Sequence, residues 1–173
     1  MAEEQEEAKS AGVATAEPTA VPYDFRSPSR IPKEQTSTVR LVHETFAQTG
    51  AIGIGTYLNT EFSLQLEQLE QITFQEYILG LSNPTCTCTF DMQPLSGFGI
   101  LEVNAPLVYS MIDRMLGGDG EIPTIGRSFT ELELAIIRKL MQIFLKELRF
   151  AWGYVLNLNF GLRDIQTNPS FVR

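Results

Sequence analysis

The chain has 173 residues, of which 43% are hydrophobic and 20% are charged, so it is long enough and apolar enough for one globular domain. Its 13 lysines and arginines against 21 aspartates and glutamates give a net charge of −8, which argues against a nucleic-acid-binding face and against a basic patch for anionic lipid. No apolar run approaches the roughly 18 residues of a membrane span, and glutamates follow Met1, so we expect neither a span nor a signal peptide, and a cytosolic protein.

Residues 1–32 are predicted to lie outside the folded domain, which we place at residues 33–173. Residues 1–22 carry five glutamates against one lysine and almost no large apolar side chain, a composition typical of a disordered tail. Prolines at positions 22, 28 and 32 then indicate an extended connector.

The folded part is predicted to open with a long helix and a strand. Val39, Val42 and Phe46 recur at helical spacing, which indicates a first helix over about 34–49. The glycines that follow are expected to weaken the helix or to let another backbone approach closely. Residues 62–66 alternate between apolar and polar side chains, which predicts a half-buried strand.

A short helix and a β-hairpin are predicted next. Thr73 and Glu76 have the spacing of a capping box, so a helix should start directly behind Thr73 and stop before Pro84. Residues 86–92 alternate in polarity, which predicts a second strand, and residues 98–103 return as its hairpin partner.

A third helix is predicted over about 105–116, because Asn104 is a favourable N-cap and apolar residues follow at helical spacing. The run Gly117-Gly118-Asp119-Gly120 should end it abruptly, since these residues tolerate the left-handed backbone conformation of a helix C-cap.

The longest helix is predicted to start behind a second capping box, Thr130 with Glu133, and alternation over residues 156–162 predicts a last strand. A long amphipathic helix that leads into a strand thus occurs twice, over 34–66 and over 130–162. The order indicates a two-fold pseudo-repeat whose second copy is cut short.

Few side chains point to catalysis or to a cofactor. Cys86 and Cys88 are two residues apart on one strand and badly placed for a disulfide, and His43 is the only histidine, so we interpret the cysteines as buried core residues and expect no metal site. His43 lies on an amphipathic helix and is interpreted either as structural or as a surface residue. The glycine run lacks the Lys-Ser/Thr of a phosphate-binding loop.

Charge is distributed unevenly along the chain. No lysine or arginine occurs from Leu41 to Asp113, whereas eight acidic residues fall there, and basic residues return from Arg114 onward. Such a chain could associate head to tail by matching unlike faces, or the charges could simply be solvated.

Five motifs in order resemble the bacterial flagellar motor switch family FliM, and the likeness covers roughly residues 22–173. They are Pro22-Tyr23-Asp24-Phe25-Arg26, Leu81-Ser82-Asn83-Pro84-Thr85, Met115-Leu116-Gly117-Gly118-Asp119-Gly120, Phe129-Thr130-Glu131-Leu132-Glu133 and Thr167-Asn168-Pro169-Ser170-Phe171. Each motif alone is weak, but the ordered set is specific.

The resemblance implies an α/β fold, an α/β/α sandwich with a pseudo-two-fold repeat related to the CheC phosphatases. It also implies a non-enzymatic part of the cytoplasmic switch ring, peripheral to the inner membrane at the flagellar basal body, that controls the direction of rotation in response to chemotaxis signals. The implied partners are FliG, neighbouring FliM copies in the ring, and FliN through a C-terminal domain that this sequence lacks. No cofactor, no nucleic acid and no membrane insertion are implied.

The resemblance also assigns residues. Gly117, Gly118, Asp119 and Gly120 would bind FliG, and neighbouring copies would pack through the two long helices. The packing positions in those helices are Val39, Arg40, His43, Glu44, Arg138, Lys139, Gln142 and Lys146.

Three departures from the family pattern qualify these expectations. Residues 1–20 contain no bulky apolar cluster, so the family's CheY-binding motif is absent and binding of phosphorylated CheY is not expected. The alternative function is a CheC-like phosphatase, which uses Glu-x-x-Asn on each long helix, but Glu44 is followed three residues on by Ala47 and Glu147 by Phe150. Finally, the second half of the repeat is expected to be truncated.

Overall fold

The computed structural model describes residues 31–121 and 126–171. Most of the predicted tail and connector lies outside the described residues. Four helices, three strands and a short 3₁₀ turn form in this order: α1 (Lys33–Leu58), α2 (Phe74–Gly80), β1 (Thr85–Gln93), β2 (Phe98–Asn104), α3 (Ala105–Met115), α4 (Glu131–Trp152), β3 (Asn159–Gln166) and the turn Pro169–Phe171. The expected α/β class is confirmed.

The strands form one open antiparallel sheet in the order β2-β1-β3. The hairpin pairs Thr85 with Asn104 and Asp91 with Phe98. β3 pairs with the other edge of β1, where a register shift between Thr89 and Phe90 marks a bulge. Both sheet edges are therefore formed by strands with one neighbour each among the described residues.

β1 is buried on both of its faces along most of its length, although its sequence alternates in polarity. Cys86, Cys88 and Phe90 belong to the hydrophobic core, and Thr85, Thr87 and Thr89 are buried as well. Threonine can occupy such a position because its hydroxyl finds a backbone acceptor, as when Thr87 Oγ1 donates to the Gln166 carbonyl at 3.1 Å.

α1 and α4 pack along each other and, with α3, cover the core. α1 continues beyond residue 49 through Gly50, Gly53 and Gly55, and close neighbours explain glycine at the last two positions. A Cβ at Gly53 would lie 3.1 Å from Glu147 Cγ of α4, and one at Gly55 would lie 2.9 Å from the Thr60 carbonyl oxygen. Glycine at Gly55 therefore allows the close backbone approach that the sequence suggested.

Two strand predictions differ from the structure. Residues 62–66 alternate between exposed and half-buried side chains, but they form no strand; residues 61–73 have no regular secondary structure and lack a ladder partner among the described residues. The last strand begins at Asn159 rather than at residue 156, because α4 is followed by a turn that holds Val155 and Leu156 to the Trp152 carbonyl. The predicted helix-strand repeat is therefore complete only in the second half.

Among residues 31–121 and 126–171, no helix is both long enough and apolar enough to cross a membrane.

Candidate functional site

The glycine loop, residues 117–120, follows directly from the C-terminus of α3. The Gly117 amide donates to the Arg114 carbonyl at 3.1 Å, and the Gly118 amide donates to the Asp113 carbonyl at 2.8 Å, which together close the end of the helix. Gly117 and Gly120 have φ values of 92° and 73°, a region that side chains disfavour. The predicted helix stop is confirmed.

Two side chains of α3 hold the glycine loop in place. Asp113 Oδ2 accepts a hydrogen bond from the Gly120 amide at 2.8 Å, and Ser110 Oγ donates to the Gly120 carbonyl. A Cβ at Gly118 would overlap the Asp113 carboxylate, so this position requires glycine for steric reasons. The loop is thus a fixed backbone surface rather than a free connection.

A cavity of about 570 Å³ opens between the glycine loop, α3 and the start of α4. Its lining includes four carboxylates and no basic side chain: Asp113, Asp119, Glu121 and Glu133. Tyr109, Ile112 and Leu116 supply its apolar walls. The cavity is therefore lined by both acidic and apolar side chains.

The Arg127 side chain pairs with Glu133, one of the carboxylates that line this cavity. The guanidinium makes two hydrogen bonds to the carboxylate, of 2.8 Å and 2.7 Å, and the same carboxylate completes the Thr130 capping box. The Arg127 hydrogen bonds are the main reason that the pKa of Glu133 falls from 4.5 to about 2. The same pair raises the pKa of Arg127.

Tyr109 links this ion pair to α3. Its hydroxyl donates to the Arg127 carbonyl at 3.1 Å, the Arg127 guanidinium lies 5.2 Å from the centre of its ring, and Phe129 stacks beside it with ring centres 4.7 Å apart. Because the ring is buried, the pKa of Tyr109 is raised. The start of α4 is thereby fixed against the helix that carries the glycine loop.

Leu116, the residue before the glycine loop, is 71% exposed. A large apolar side chain at the rim of a cavity is suited to contact a partner. Sequence analysis identified the loop itself but missed Leu116, Ser110, Asp113 and Arg127. Only the Met115-to-Gly120 motif includes one of these residues, and periodicity alone assigns Leu116 no function.

The positions assigned to subunit packing are divided by the structure into exposed and inward-facing residues. Arg40 and Glu44 of α1 are exposed, as are Arg138, Lys139, Gln142 and Lys146 of α4. Val39 and His43 are half-buried; His43 Nδ1 donates to the Val39 carbonyl at 2.8 Å, and its ring meets the Trp152 ring edge-on at 6.3 Å. His43 therefore has an intrachain structural role, and its assignment to subunit packing stays a prediction.

The positions of a Glu-x-x-Asn phosphatase motif do not provide an amide. On α1, Ala47 is buried three residues after the exposed Glu44, and on α4 the exposed Phe150 follows Glu147. Glu147 itself lies against Gly53 of α1. No side-chain amide is thus in place at either position to orient an attacking water.

Both cysteines are core residues, as predicted. Cys86 and Cys88 are free thiols with no exposed surface, and burial raises the pKa of each to about 12. Within the described part of the chain, no three histidine, cysteine or acidic side chains are grouped as ligands for a metal ion.

Comparison with known proteins identifies one family. The family model described as "Flagellar motor switch protein FliM" matches residues 32–173. The FliM protein of Treponema pallidum is 32% identical over 151 residues, which are 87% of this chain and 44% of that protein. Among solved structures, a FliG–FliM complex from H. pylori superposes with a TM-score of 0.80 at 26% identity, covering 83% of this chain and 79% of the other.

A second structure, the FliM middle domain from H. pylori, superposes with a TM-score of 0.75 at 25% identity and covers 83% of this chain and 77% of its own. The chain spans less than half the length of the curated relative from T. pallidum. The part of H. pylori FliM that this chain resembles is its middle domain.

Proposed function

This chain belongs to the FliM family of flagellar motor switch proteins, and we propose that it binds FliG through its glycine loop as part of the switch that sets the direction of flagellar rotation. The similar H. pylori structure is a FliG–FliM complex, which supports FliG as the partner. The observation that carries the proposal is the rigid glycine loop beside the exposed Leu116.

The geometry of the glycine loop suits protein binding for two reasons. Gly117 has open space where a Cβ would stand, so a partner can approach its main chain closely, whereas the side chains of Asp113 and Arg114 fill that space at Gly118 and Gly120. Asp113 and Ser110 hold that backbone in one conformation before binding, which lowers the entropy that association must overcome.

The chain acts by binding and not by catalysis. The absence of an amide at both phosphatase positions, Ala47 and Phe150, supports this proposal over the CheC-like alternative. Residues 1–20 offer no apolar anchor for phosphorylated CheY, so the signal would reach this domain through other parts of the switch.

Neighbouring copies pack through α1 and α4 in a ring. The exposure of Arg40, Glu44, Arg138, Lys139 and Gln142 leaves these side chains free for such a contact. In this arrangement the protein is cytoplasmic and lies at the inner membrane below the basal body, and FliN joins through a region outside this chain.

Asp119 provides a direct test of FliG binding. It lies exposed at the tip of the glycine loop, and its side chain makes no hydrogen bond or ion pair within the described residues. We expect Asp119→Lys to weaken the affinity for purified FliG at least about tenfold, equivalent to about 1.4 kcal/mol, without changing the melting temperature. Isothermal titration calorimetry measures the first quantity and circular dichroism the second.

A matched control uses Glu44, an exposed carboxylate of α1 on a different element from the loop. Glu44→Lys makes the same charge change and should leave FliG affinity as it is. Equal weakening by both substitutions would indicate a general charge effect, and normal binding by Asp119→Lys would remove the glycine loop from the interface.

A further inference from the structure

One side of α4 carries a row of exposed polar and basic side chains. Arg138, Gln142, Lys146 and Arg149 follow one another at spacings of four, four and three residues, which places them on one helix face. Lys146 is 81% exposed at its side chain and has only a 3.7 Å contact to Glu147, and Arg149 has no ion pair within the described residues. This basic ridge stands out on a chain of net charge −8.

A groove of about 860 Å³ runs beside the basic ridge, between the C-terminal halves of α1 and α4. Gly53 and Gly153 leave room for this helix groove, and Lys146 and Arg149 belong to its lining. Three large apolar side chains in the lining are exposed to solvent: Ile52 (71%), Phe150 (53%) and Tyr154 (74%). The groove is therefore apolar with Lys146 and Arg149 at its border, and the one carboxylate among its described lining residues, Glu147, contacts Lys146 at 3.7 Å.

Thr49 adds a polar group to the helix groove. Its hydroxyl oxygen is buried and has no hydrogen-bond partner among the described residues. The hydroxyl of Thr45, one turn earlier, donates a hydrogen bond to the Leu41 carbonyl at 2.9 Å, whereas the hydroxyl of Thr49 makes no such bond to its own helix. A buried hydroxyl without a partner is costly, and an occupant of the groove that accepts its hydrogen bond would relieve that cost.

The same chain contains a segment with complementary chemistry, residues 67–76, which we call the acidic arm. Glu67 and Glu70 are exposed and have no cationic partner within the described residues. Ile72 and Phe74 are each 52% exposed. α2, which begins at Phe74, buries none of its residues.

The backbone of the acidic arm is also available. Residues 67–72 make no backbone hydrogen bond to any other described residue, so their amides and carbonyls are free to pair with a partner. The segment thus offers carboxylates, apolar side chains and backbone groups together.

We propose that the acidic arm of one copy docks into the helix groove of the next copy, with Ile72 and Phe74 against its apolar lining and Glu67 and Glu70 beside Lys146 and Arg149. The occupant is a second copy of this chain because both halves of the complementary pair are present on it. This inference rests on the proposed packing of neighbouring copies and names the surfaces that meet.

The contact joins two different surfaces, so each copy keeps one arm and one groove for further neighbours. Such a head-to-tail contact propagates from copy to copy and closes only if the rotation between copies allows a ring. Because the charges are exposed, the association weakens as ionic strength rises.

Charge reversal and mixing test the pairing. We expect Lys146→Glu with Arg149→Glu to weaken self-association at least tenfold, and Glu67→Lys with Glu70→Lys to do the same, as measured by sedimentation velocity of the 173-residue chain at low salt. An equimolar mixture of the two variants should associate again, since each reversed groove then meets a reversed arm. Restoration to within about threefold of the original chain supports the proposal.

Glu34→Lys with Glu61→Lys is the matched control for the arm variant and should keep self-association, because it makes the same change of net charge at exposed positions outside the arm, the groove and the packing positions. Arg40→Glu with Lys139→Glu tests the helix packing of the proposed function instead. Self-association that is lost in this variant but kept in the arm variant would leave that packing intact and overturn the arm contact. A chain that does not self-associate, or variants that stay dissociated when mixed, would also overturn it.

All variants should keep the melting temperature and the FliG affinity of the original chain, which separates a lost contact from misfolding. If the groove bound an added synthetic peptide of residues 67–76 while the chain itself stayed monomeric, its occupant would be an acidic apolar segment of another protein. That outcome would overturn the assignment to a second copy.

Discussion

Substitution of Gly117 can distinguish an effect on FliG binding from an effect on stability. At φ 92° a side chain is strained although the space around it is open, so Gly117→Ala should cost about 1 kcal/mol of unfolding free energy and distort the glycine loop. Gly97 in the hairpin turn has a similar φ of 107° and equally open space. Urea denaturation should show the same loss for Gly97→Ala, whereas only Gly117→Ala should weaken FliG binding.

An equal loss of FliG affinity in both variants would mean that the loop contributes only through overall stability.

The single residues that build the site were predictable from the sequence to different degrees. The glycines of the loop are recognisable in the sequence because three of them occur within four residues. Asp113 and Ser110 are not, because they contact Gly120 only once the turn after α3 has formed, and no local sequence pattern predicts that contact.

The start of α4 couples its stability to pH through Glu133. The pKa of this carboxylate is lowered in the folded chain, from 4.5 to about 2, so its contribution is present above pH 4.5 and is lost as the pH falls toward 2. We expect Glu133→Gln to destabilise the protein by about 1–2 kcal/mol at pH 7. The difference from the original chain should shrink between pH 5 and 2 in urea denaturation.

The capping box of α2 provides the comparison. Glu76 accepts from Thr73 in the same geometry but has no arginine partner in the described chain, and its pKa is also lowered, chiefly by the Thr73 hydroxyl. Glu76→Gln should therefore have a smaller effect at pH 7. A loss as large as that of Glu133→Gln would show that Arg127 adds nothing.

Elements with a local start signal were predicted well, and those that depend on a distant partner were not. Both capping boxes form as their sequences indicate. The alternating sequence of residues 62–66 correctly predicts which side chains are half-buried and which are exposed. A strand also needs a neighbouring backbone to pair with, and the described residues do not supply one.

Across the whole molecule, protection from hydrogen exchange should be very uneven. β1 is buried on both faces and paired on both edges, so its amides should exchange only through global unfolding. Residues 61–72 make no backbone hydrogen bonds within the described chain and should exchange faster by a factor on the order of a thousand or more. Mass spectrometry of deuterated peptides measures both segments at once.

Slow exchange in residues 61–72 at every protein concentration would contradict a backbone without hydrogen bonds in this segment. If protection there rose with protein concentration while β1 stayed unchanged, it would instead report the arm-to-groove contact between copies. The same experiment thus distinguishes a property of one chain from a property of the assembly.

The burial of both thiols makes the protein suited to site-specific chemical labelling. With a pKa of about 12, only about one in ten thousand of the Cys86 and Cys88 side chains is a reactive thiolate at pH 8. A cysteine introduced on the surface would therefore react with a maleimide dye while the native pair stays silent. Because Cys86 and Cys88 are buried in β1, the rate at which they react with the dye would measure how often the sheet opens.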